Sequence, residues 1–513
     1  MRSRVVVLLV YCLAILLQTT VAFKERDFKK CQSSGFCGRL RGKNGPRYTV
    51  TPSSVTVKGS TITAQVKNTE ADKTFQLQVN TYESVIRAQL LETGADRYQL
   101  PDILDEAELP PSVEITHKEV GGAGAMFVVA DQSFVIRFDP FQLEVPGRIV
   151  VNARDLFHLE HKRTKPAVVA TEEADSGSWE ETFNGHKDSK PKGPQAISVD
   201  ISFPDALHVY GIPQHATSLS LKPTVGTNVT SEPYRLYNLD VFEYLEDSPF
   251  GLYGSIPYLT AVSEEFAVGV FWLNAAEMYI DIDKTEGGVD SQWLAESGAL
   301  DLFLLLGPTP AHLAMQFASL TGKSAMPQMF SIGYHQCRYA FVHSQLCLLP
   351  VVLGKESHDA LLACTTLAFR GSLCRSIRMF TDLSVMCTLC CGLIGTCAEI
   401  LTVLDKSISP FEHPHRDVEA CELCRWNYRD EADVKAVSQG FDEHLMPCDV
   451  VWLDIEHTDG KKYMTWDASR FPDPTNMLLS LSSVGRKMVT IVDPHVKRDS
   501  EYDLHNQVCC SLV

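Results

Sequence analysis

Asp454 stands directly after the apolar run Val450-Val451-Trp452-Leu453 and before Ile455, Glu456, His457 and Asp459. A carboxylate at the C-terminal end of a buried strand is where barrel-type α/β folds place the groups that meet a ligand. The same cluster offers carboxylate and imidazole to a metal ion. No second group of ligands recurs with matching spacing, however, so the simpler reading is a polar loop after a buried strand, and no metal site is expected. Asp240, in Asn238-Leu239-Asp240, and Asp493, in Asp493-Pro494-His495, are further carboxylates in loop contexts. By residue type alone, Asp240 and Asp454 read first as turn or cap residues, because a short carboxylate readily accepts from nearby backbone N–H groups.

Other chemistry depends on the compartment. Arg2 and Arg4 precede an apolar run from Val5 to Leu17, and Thr20-Val21-Ala22 follows as a small-x-small cleavage site. That order of charge, apolar stretch and small residues is a secretory signal, so residues 1–22 are expected to be removed and the mature chain to begin near Phe23. The run is too short to span a bilayer comfortably. An oxidising compartment makes Cys31 and Cys37, in a Gly/Ser-containing loop, the natural disulfide pair. Asn228-Val229-Thr230 reads as an N-glycosylation acceptor, which belongs on a surface loop.

The elements that must position these groups follow from composition and period. The chain has 513 residues and a formal net charge of −18, a balance that argues against a general nucleic-acid binder. At 45% hydrophobic and 21% charged residues it can build a sizeable core, and its length suggests about two to four domains. Its 16 cysteines are distributed unevenly, with a crowd between Cys347 and Cys424. Between Tyr48 and Val151, short alternating runs such as Ser54-Val57, Thr61-Val66, Phe75-Val79 and Ser133-Phe138 indicate strands of an antiparallel sandwich. Similar runs return at Ile197-Ile201, Val268-Leu273 and Asp301-Leu306. The sandwich is therefore placed at 23–306, with 162–195 as a mobile, acidic and polar excursion.

After Gly307-Pro308 the period changes. Pro310 to Thr321 looks helical, and strand candidates follow at Phe330–Gly333, Asp449–Leu453 and Met488–Val492, with helices around Asp430–Gly440 and Met477–Leu481. Strands alternating with helices imply a parallel sheet, and the start of an α/β barrel is the simplest architecture. The fold class expected is a β-sandwich followed by the first part of a (β/α)8 TIM barrel.

Several longer motifs carry a resemblance. Val209-Tyr210-Gly211-Ile212-Pro213-Gln214-His215, Tyr234-Arg235-Leu236-Tyr237-Asn238-Leu239-Asp240, Phe271-Trp272-Leu273-Asn274-Ala275 and Trp452-Leu453-Asp454-Ile455-Glu456-His457 resemble glycoside hydrolase family 31, over Phe23–Arg338 and Arg425 to about His505. The resemblance implies a retaining α-glucosidase that removes terminal glucose from the N-glycan of newly made glycoproteins in the endoplasmic reticulum lumen. It implies an oligosaccharide substrate, no cofactor, and a beta subunit with a mannose-binding domain as partner. No Lys-Asp-Glu-Leu type ending appears here, so retention is expected from that partner. By the same resemblance, Asp240 and Asp454 are sugar contacts, Asp454 accepting from two hydroxyls, and Asp493-Pro494-His495 shapes the pocket rim without a catalytic role.

Retaining hydrolysis needs two carboxyl groups about 5 Å apart, one attacking the anomeric carbon and one protonating the leaving oxygen. The family carries them in a Trp-x-Asp-Met-Asn-Glu segment and a later Gly-Asp-Asn segment, and neither occurs in these 513 residues. The catalytic pair is thus expected beyond the chain end. An eight-stranded barrel takes about 250 residues, and the family-like residues after Ser331 accommodate about three β/α units.

The family motif Tyr-His-Gln-Cys-Arg-Trp-Asn-Tyr-Arg-Asp-Glu is split here. Tyr334-His335-Gln336-Cys337-Arg338 is followed by Tyr339, and Trp426-Asn427-Tyr428-Arg429-Asp430-Glu431 resumes after Arg425. Residues 339–424 therefore read as a foreign segment, translated intron or mispredicted coding sequence, interrupting an incomplete barrel. The expected domains are 307–338 as linker helix and first barrel strand, 425–505 as the next β/α units, and 506–513 as an aberrant tail. Cys387-x2-Cys390 with Cys421-x2-Cys424 superficially suggests zinc, but the separation and the compartment speak against it. Leu383–Leu404 is apolar, yet Glu399 lies inside it, so a membrane span is not expected. An open barrel edge leads to the expectation of a well-folded sandwich and a poorly ordered C-terminal part. The competing class is a non-catalytic secreted sandwich module that only binds carbohydrate or a partner.

Overall fold

The computed structural model describes residues 28–511 except 95–96, 106, 131, 164, 166–176, 227–228, 240–245, 339–420, 426–427 and 494–495. The expected signal peptide, Asp240, Asn228, the Cys387-x2-Cys390 pair and the Leu383–Leu404 stretch lie outside the described residues. The chain divides into two compact units, the first reaching Ala325 and the second beginning at Met326.

The first unit is a sandwich of two large, mainly antiparallel sheets. One is ordered Tyr48–Val50, Thr61–Asn68, Lys73–Tyr82, Val85–Glu92, Leu300–Leu305, Ala267–Trp272, Tyr258–Val262, His208–Gly211. The other is centred on Met278–Thr285, Gly288–Ala295 and Ile197–Pro204 and runs out through Ile149–Val151, Phe141–Val145, Gln132–Phe138 and Gly124–Val129 to Ile115–Val120. Alternation decides which side chains face inward. Along Thr61–Asn68, Ile62, Ala64 and Val66 are buried while Gln65 and Lys67 are exposed. Both sheets send residues into one core, with Leu77, Leu302 and Trp272 from the first meeting Phe127, Ile201 and Trp293 from the second.

Alternation stops where both faces are covered. Every residue of Ala267–Trp272 and Leu300–Leu305 is buried, because Phe271, Phe303 and Leu305 pack on the outer side against Leu313, Phe317 and Leu320 of helix Pro310–Thr321. That helix starts where the sequence places it. Thr309 caps it, Pro310 occupies the first turn, where a missing N–H costs nothing, and Gly322 at φ 88° ends it. Gly307, at φ 69°, lies so close to Ala267 that a Cβ would sit 1.9 Å from its carbonyl oxygen, so the exit from the last strand admits no side chain.

The N-terminal segment is fastened to the outside of the second sheet. Cys31 and Cys37 are disulfide-bonded, and with Phe36 and Leu40 they pack on Tyr279 and Leu294. Arg41 grips the buried Asp281 with two hydrogen bonds of 2.7 Å.

The stretch 162–195, expected as a mobile excursion, is described in part. Its described part forms a hairpin, Glu180–Phe183 with His186–Ser189. Asn184 and Gly185 make the turn at φ 48° and 80°, the two-residue type that suits hairpin twist and favours Asn-Gly. Lys190 anchors its base to Glu181 and Glu296. Composition hid a signal that the Asn-Gly dipeptide carried.

The second unit contains a four-stranded parallel sheet, ordered Tyr334–Arg338, Cys421–Arg425, Val450–Leu453, Lys487–Thr490. Helices Glu431–Glu443 and Pro474–Ser483 connect the last three strands. Asp430 and Asp473 cap them, accepting from the N–H groups of Asp433 at 2.8 Å and Asn476 at 3.0 Å. Two expectations need correcting here. Phe330–Gly333 is not a strand: a single 3-10 turn spans Met329–Ile332, and the strand begins at Tyr334. A strand also forms at Cys421–Arg425, across the boundary placed between the segment read as foreign, 339–424, and the β/α units that follow. Tyr-His-Gln-Cys-Arg and Cys-Glu-Leu-Cys-Arg are both interrupted by polar residues, whereas buried parallel strands usually read as apolar runs, so hydrophobic pattern did not reveal them.

Candidate functional site

The parallel sheet sets the site. Arg425, Leu453 and Thr490 stand level across three adjacent strands, so Asp454 emerges at their C-terminal rim. Val450, Val451 and Leu453 are fully buried, which fixes the strand before it and therefore the point from which Asp454 projects. One carboxylate oxygen accepts from the Ile455 N–H at 2.7 Å. Asp454 thus caps the short 3-10 turn Ile455–His457, the role its residue type suggests, while standing where a barrel presents ligand-binding groups.

The loop after Asp454 is held by its own polar groups. Thr458 Oγ1 donates to Ile455 O at 2.7 Å, and Asp467 N donates to His457 O at 2.8 Å. His457 is 4% exposed and packs on Trp466, which in turn packs on Phe471. Neither ring nitrogen meets hydrogen-bond geometry. Burial holds the imidazole below its ordinary pKa, with the Thr465 backbone and the charge of Asp454 opposing. The packed ring is thereby biased toward its neutral form.

Glu456, His457 and Asp459 do not assemble a cation site. Asp459 is paired with Lys462 at 2.8 Å, and among the described residues no group of three or more His, Cys, Asp or Glu is arranged to hold a metal. Among the described residues, too, no helix is long and apolar enough to cross a membrane.

Arg486 was not singled out by sequence, yet it ties the sheet to its first helix. Its side chain donates to Cys448 O at 2.9 Å, to Ser438 O at 2.8 Å and to Asp442 at 2.6 and 3.0 Å. These bonds join the start of strand Lys487–Thr490, the approach to strand Val450–Leu453 and helix Glu431–Glu443. An arginine after Gly485 gives no periodic signal, because its role depends on where the helix end lies in space.

Asp240, the other expected sugar contact, lies outside the described residues. The residues leading to it are firmly held. Arg235 pairs with Glu277 at 2.8 Å, both almost fully buried, and its guanidinium covers Tyr237 at 4.4 Å. His215 bridges Ile212 O at 2.8 Å and Arg235 O at 2.9 Å, and Leu239 N donates to Leu252 O at 2.7 Å. Asp493 is described and half-buried, whereas Pro494 and His495 are not. A cavity of about 810 Å³ opens on the sandwich between the loop 99–105 and the Arg87–Asp301 ion pair. Asp454 is not part of its lining.

With this geometry in place, similarity to known proteins is informative. Residues 48–281 match the glycosyl hydrolase 31 N-terminal galactose mutarotase-like domain, and residues 419–510 match the glycosyl hydrolases family 31 TIM-barrel domain. Neutral alpha-glucosidase AB of Sus scrofa is 34% identical, over 98% of this chain and 49% of its own length. The crystal structure of a glucosidase II alpha subunit in its DNJ-bound form superposes with a TM-score of 0.65 at 31% identity, covering 96% of this chain and 48% of that one. An ER glucosidase II heterodimeric complex, of catalytic subunit and the binding domain of the regulatory subunit, gives 0.64 at 32% identity, over 94% and 48%. The chain spans about half the length of the curated relatives it matches.

Proposed function

Because the chain belongs to glycoside hydrolase family 31, we propose that it carries the substrate-binding part of a retaining α-glucosidase acting on terminal α-linked glucose of N-glycans in the endoplasmic reticulum lumen. The observation that carries this reading is Asp454, a carboxylate at the C-terminal rim of a parallel sheet, inside the barrel match. A charged acceptor there forms stronger hydrogen bonds to sugar hydroxyls than a neutral one. By the same resemblance Asp240 is proposed as a further sugar contact, and Asp493 is proposed to have no catalytic role.

Cleavage itself requires a nucleophile and an acid about 5 Å apart. Neither family segment that supplies them occurs among the 513 residues, so the polypeptide by itself is proposed to bind and not to cleave. The glucosidase II beta subunit is the proposed partner, supported by the heterodimer to which the chain is similar. Entry into the secretory pathway through residues 1–22, retention by that partner, and an occupied glycan at Asn228 belong to the same reading.

Saturation-transfer NMR with an α-1,3-linked glucose disaccharide tests the binding. The expected result is transfer to the non-reducing glucose that falls sharply in Asp454→Asn, with the sheet still folded. Transfer that Asp454→Asn leaves unchanged, or none above an unrelated protein, would remove the proposal.

A further inference from the structure

Two strands of the parallel sheet end in the same dipeptide at the same height. Tyr334–Arg338 reads Tyr-His-Gln-Cys-Arg and Cys421–Arg425 reads Cys-Glu-Leu-Cys-Arg, and they pair in parallel with Cys337 opposite Cys424 and Arg338 opposite Arg425. On its other side, Cys421–Arg425 pairs with Val450–Leu453, Arg425 opposite Leu453. It also leads within a few residues into the helix capped by Asp430. From there the order is strand, helix Glu431–Glu443, strand Val450–Leu453, helix Pro474–Ser483, strand Lys487–Thr490, each strand beside the one before it. That is an unbroken β/α succession, and the barrel-domain match begins at residue 419, just ahead of it. Tyr334–Arg338, which carries the more family-like sequence, is separated from this succession by residues 339–420.

We infer that Cys421–Arg425 has taken the place of the first barrel strand, and that Tyr334–Arg338 is a supernumerary strand on its outer side. In a closed eight-stranded barrel the first strand has two neighbours, the second strand and the last. Here the place of the last strand is filled by Tyr334–Arg338. Chain connectivity supplies the reason. A strand joined to its helix by a short link reaches the inner position at a smaller loop-closure cost than one joined through a long segment. The two strands pair with their Cys-Arg endings in one register. The strand end level with Leu453, the residue before Asp454, is therefore Arg425, and Arg338 stands one strand further out. The inference concerns strand order and holds whether or not the chain binds glucose.

Hydrogen exchange read by mass spectrometry on two proline variants of the full chain decides it, because proline removes a ladder donor and breaks a strand. Gln336→Pro is expected to strip protection from 334–338 while the amides of 450–453 keep their wild-type rates. Leu423→Pro is expected to speed exchange about tenfold or more in both 334–338 and 450–453, since it breaks the strand between them. The reverse pattern would overturn the inference: loss at 450–453 in Gln336→Pro, or rates of 334–338 and 450–453 untouched in Leu423→Pro. Should Leu423→Pro unfold the unit, Gln336→Pro alone still discriminates. As a further check, deleting 339–425, which joins Arg338 to Trp426, is expected to restore wild-type protection at 450–453 by moving the motif strand inward. Persistent loss there would count against the shared register.

Discussion

The sandwich and the parallel-sheet unit solve the same burial problem with very different resources. In the sandwich, two sheets converge on one core that contains Trp272, Trp293, Phe75, Phe127, Phe134, Phe141 and Phe203, all fully buried. In the second unit, the core is Tyr428, Val434, Val451, Leu453, Phe471, Met477 and Leu481, where two helices meet the sheet. Leu445, Met464, Leu479 and Val484 of that unit are largely exposed. Antiparallel neighbours satisfy one another locally, whereas parallel strands depend on crossovers and on cover for both faces. The contrast places robustness in the first unit and the candidate sugar contact Asp454 in the second.

The most severe test of that contrast is limited proteolysis. It is expected to leave a resistant core that ends between Leu306 and Met326, and an intact chain that resists the protease would show the two units to be equally robust. Next in size, Trp293→Ala in the sandwich core is expected to cost about 3–5 kcal/mol of that unit's stability, measured by denaturant unfolding with exchange readout on strands 197–204 and 288–295. A loss below that of an ordinary surface substitution would mean the shared core is not what holds the sheets.

Arg486→Ala removes a side chain 7% exposed that satisfies Cys448 O and Ser438 O and binds Asp442. It is expected to cost about 2–3 kcal/mol, read on amides of the second unit. The most gradual effect comes from pH. Burial holds His158, His215 and His457 below their ordinary pKa. A folded-state pKa below the unfolded value near 6.5 keeps these rings neutral. Their stabilisation is therefore complete above about pH 6.5 and declines as pH falls through and below that value, until the folded-state pKa is reached. Stability of the second unit measured from pH 7.5 to 5 should show this slope, and His457→Phe should flatten it. An unchanged slope would assign it to other groups.

Much of this was legible because period reports burial. Thr61–Val66, Phe75–Val79 and Ser133–Phe138 alternate and are strands. Thr309, Pro310 and Gly322 bracket a helix with the expected bounds. Asp454 was found because an apolar run points to a strand end. Tyr334–Arg338 and Cys421–Arg425 were missed as strands because neither is a continuous apolar run and their partners lie far away in sequence. Arg486 was missed because its acceptors converge only after the helix has packed on the sheet. Within 162–195, Asn184-Gly185 held the hairpin signal, and attention to charge and proline concealed it.

The proposed role of these residues is to supply a sugar contact at Asp454 without the pair of carboxylates that breaks the bond. The purified 513-residue chain, freed of host hydrolases, should be incubated with a chromogenic α-glucoside across pH 4–8 beside its Asp454→Asn variant. No release above buffer is expected from either protein. Release by the parent chain that Asp454→Asn abolishes would contradict that role.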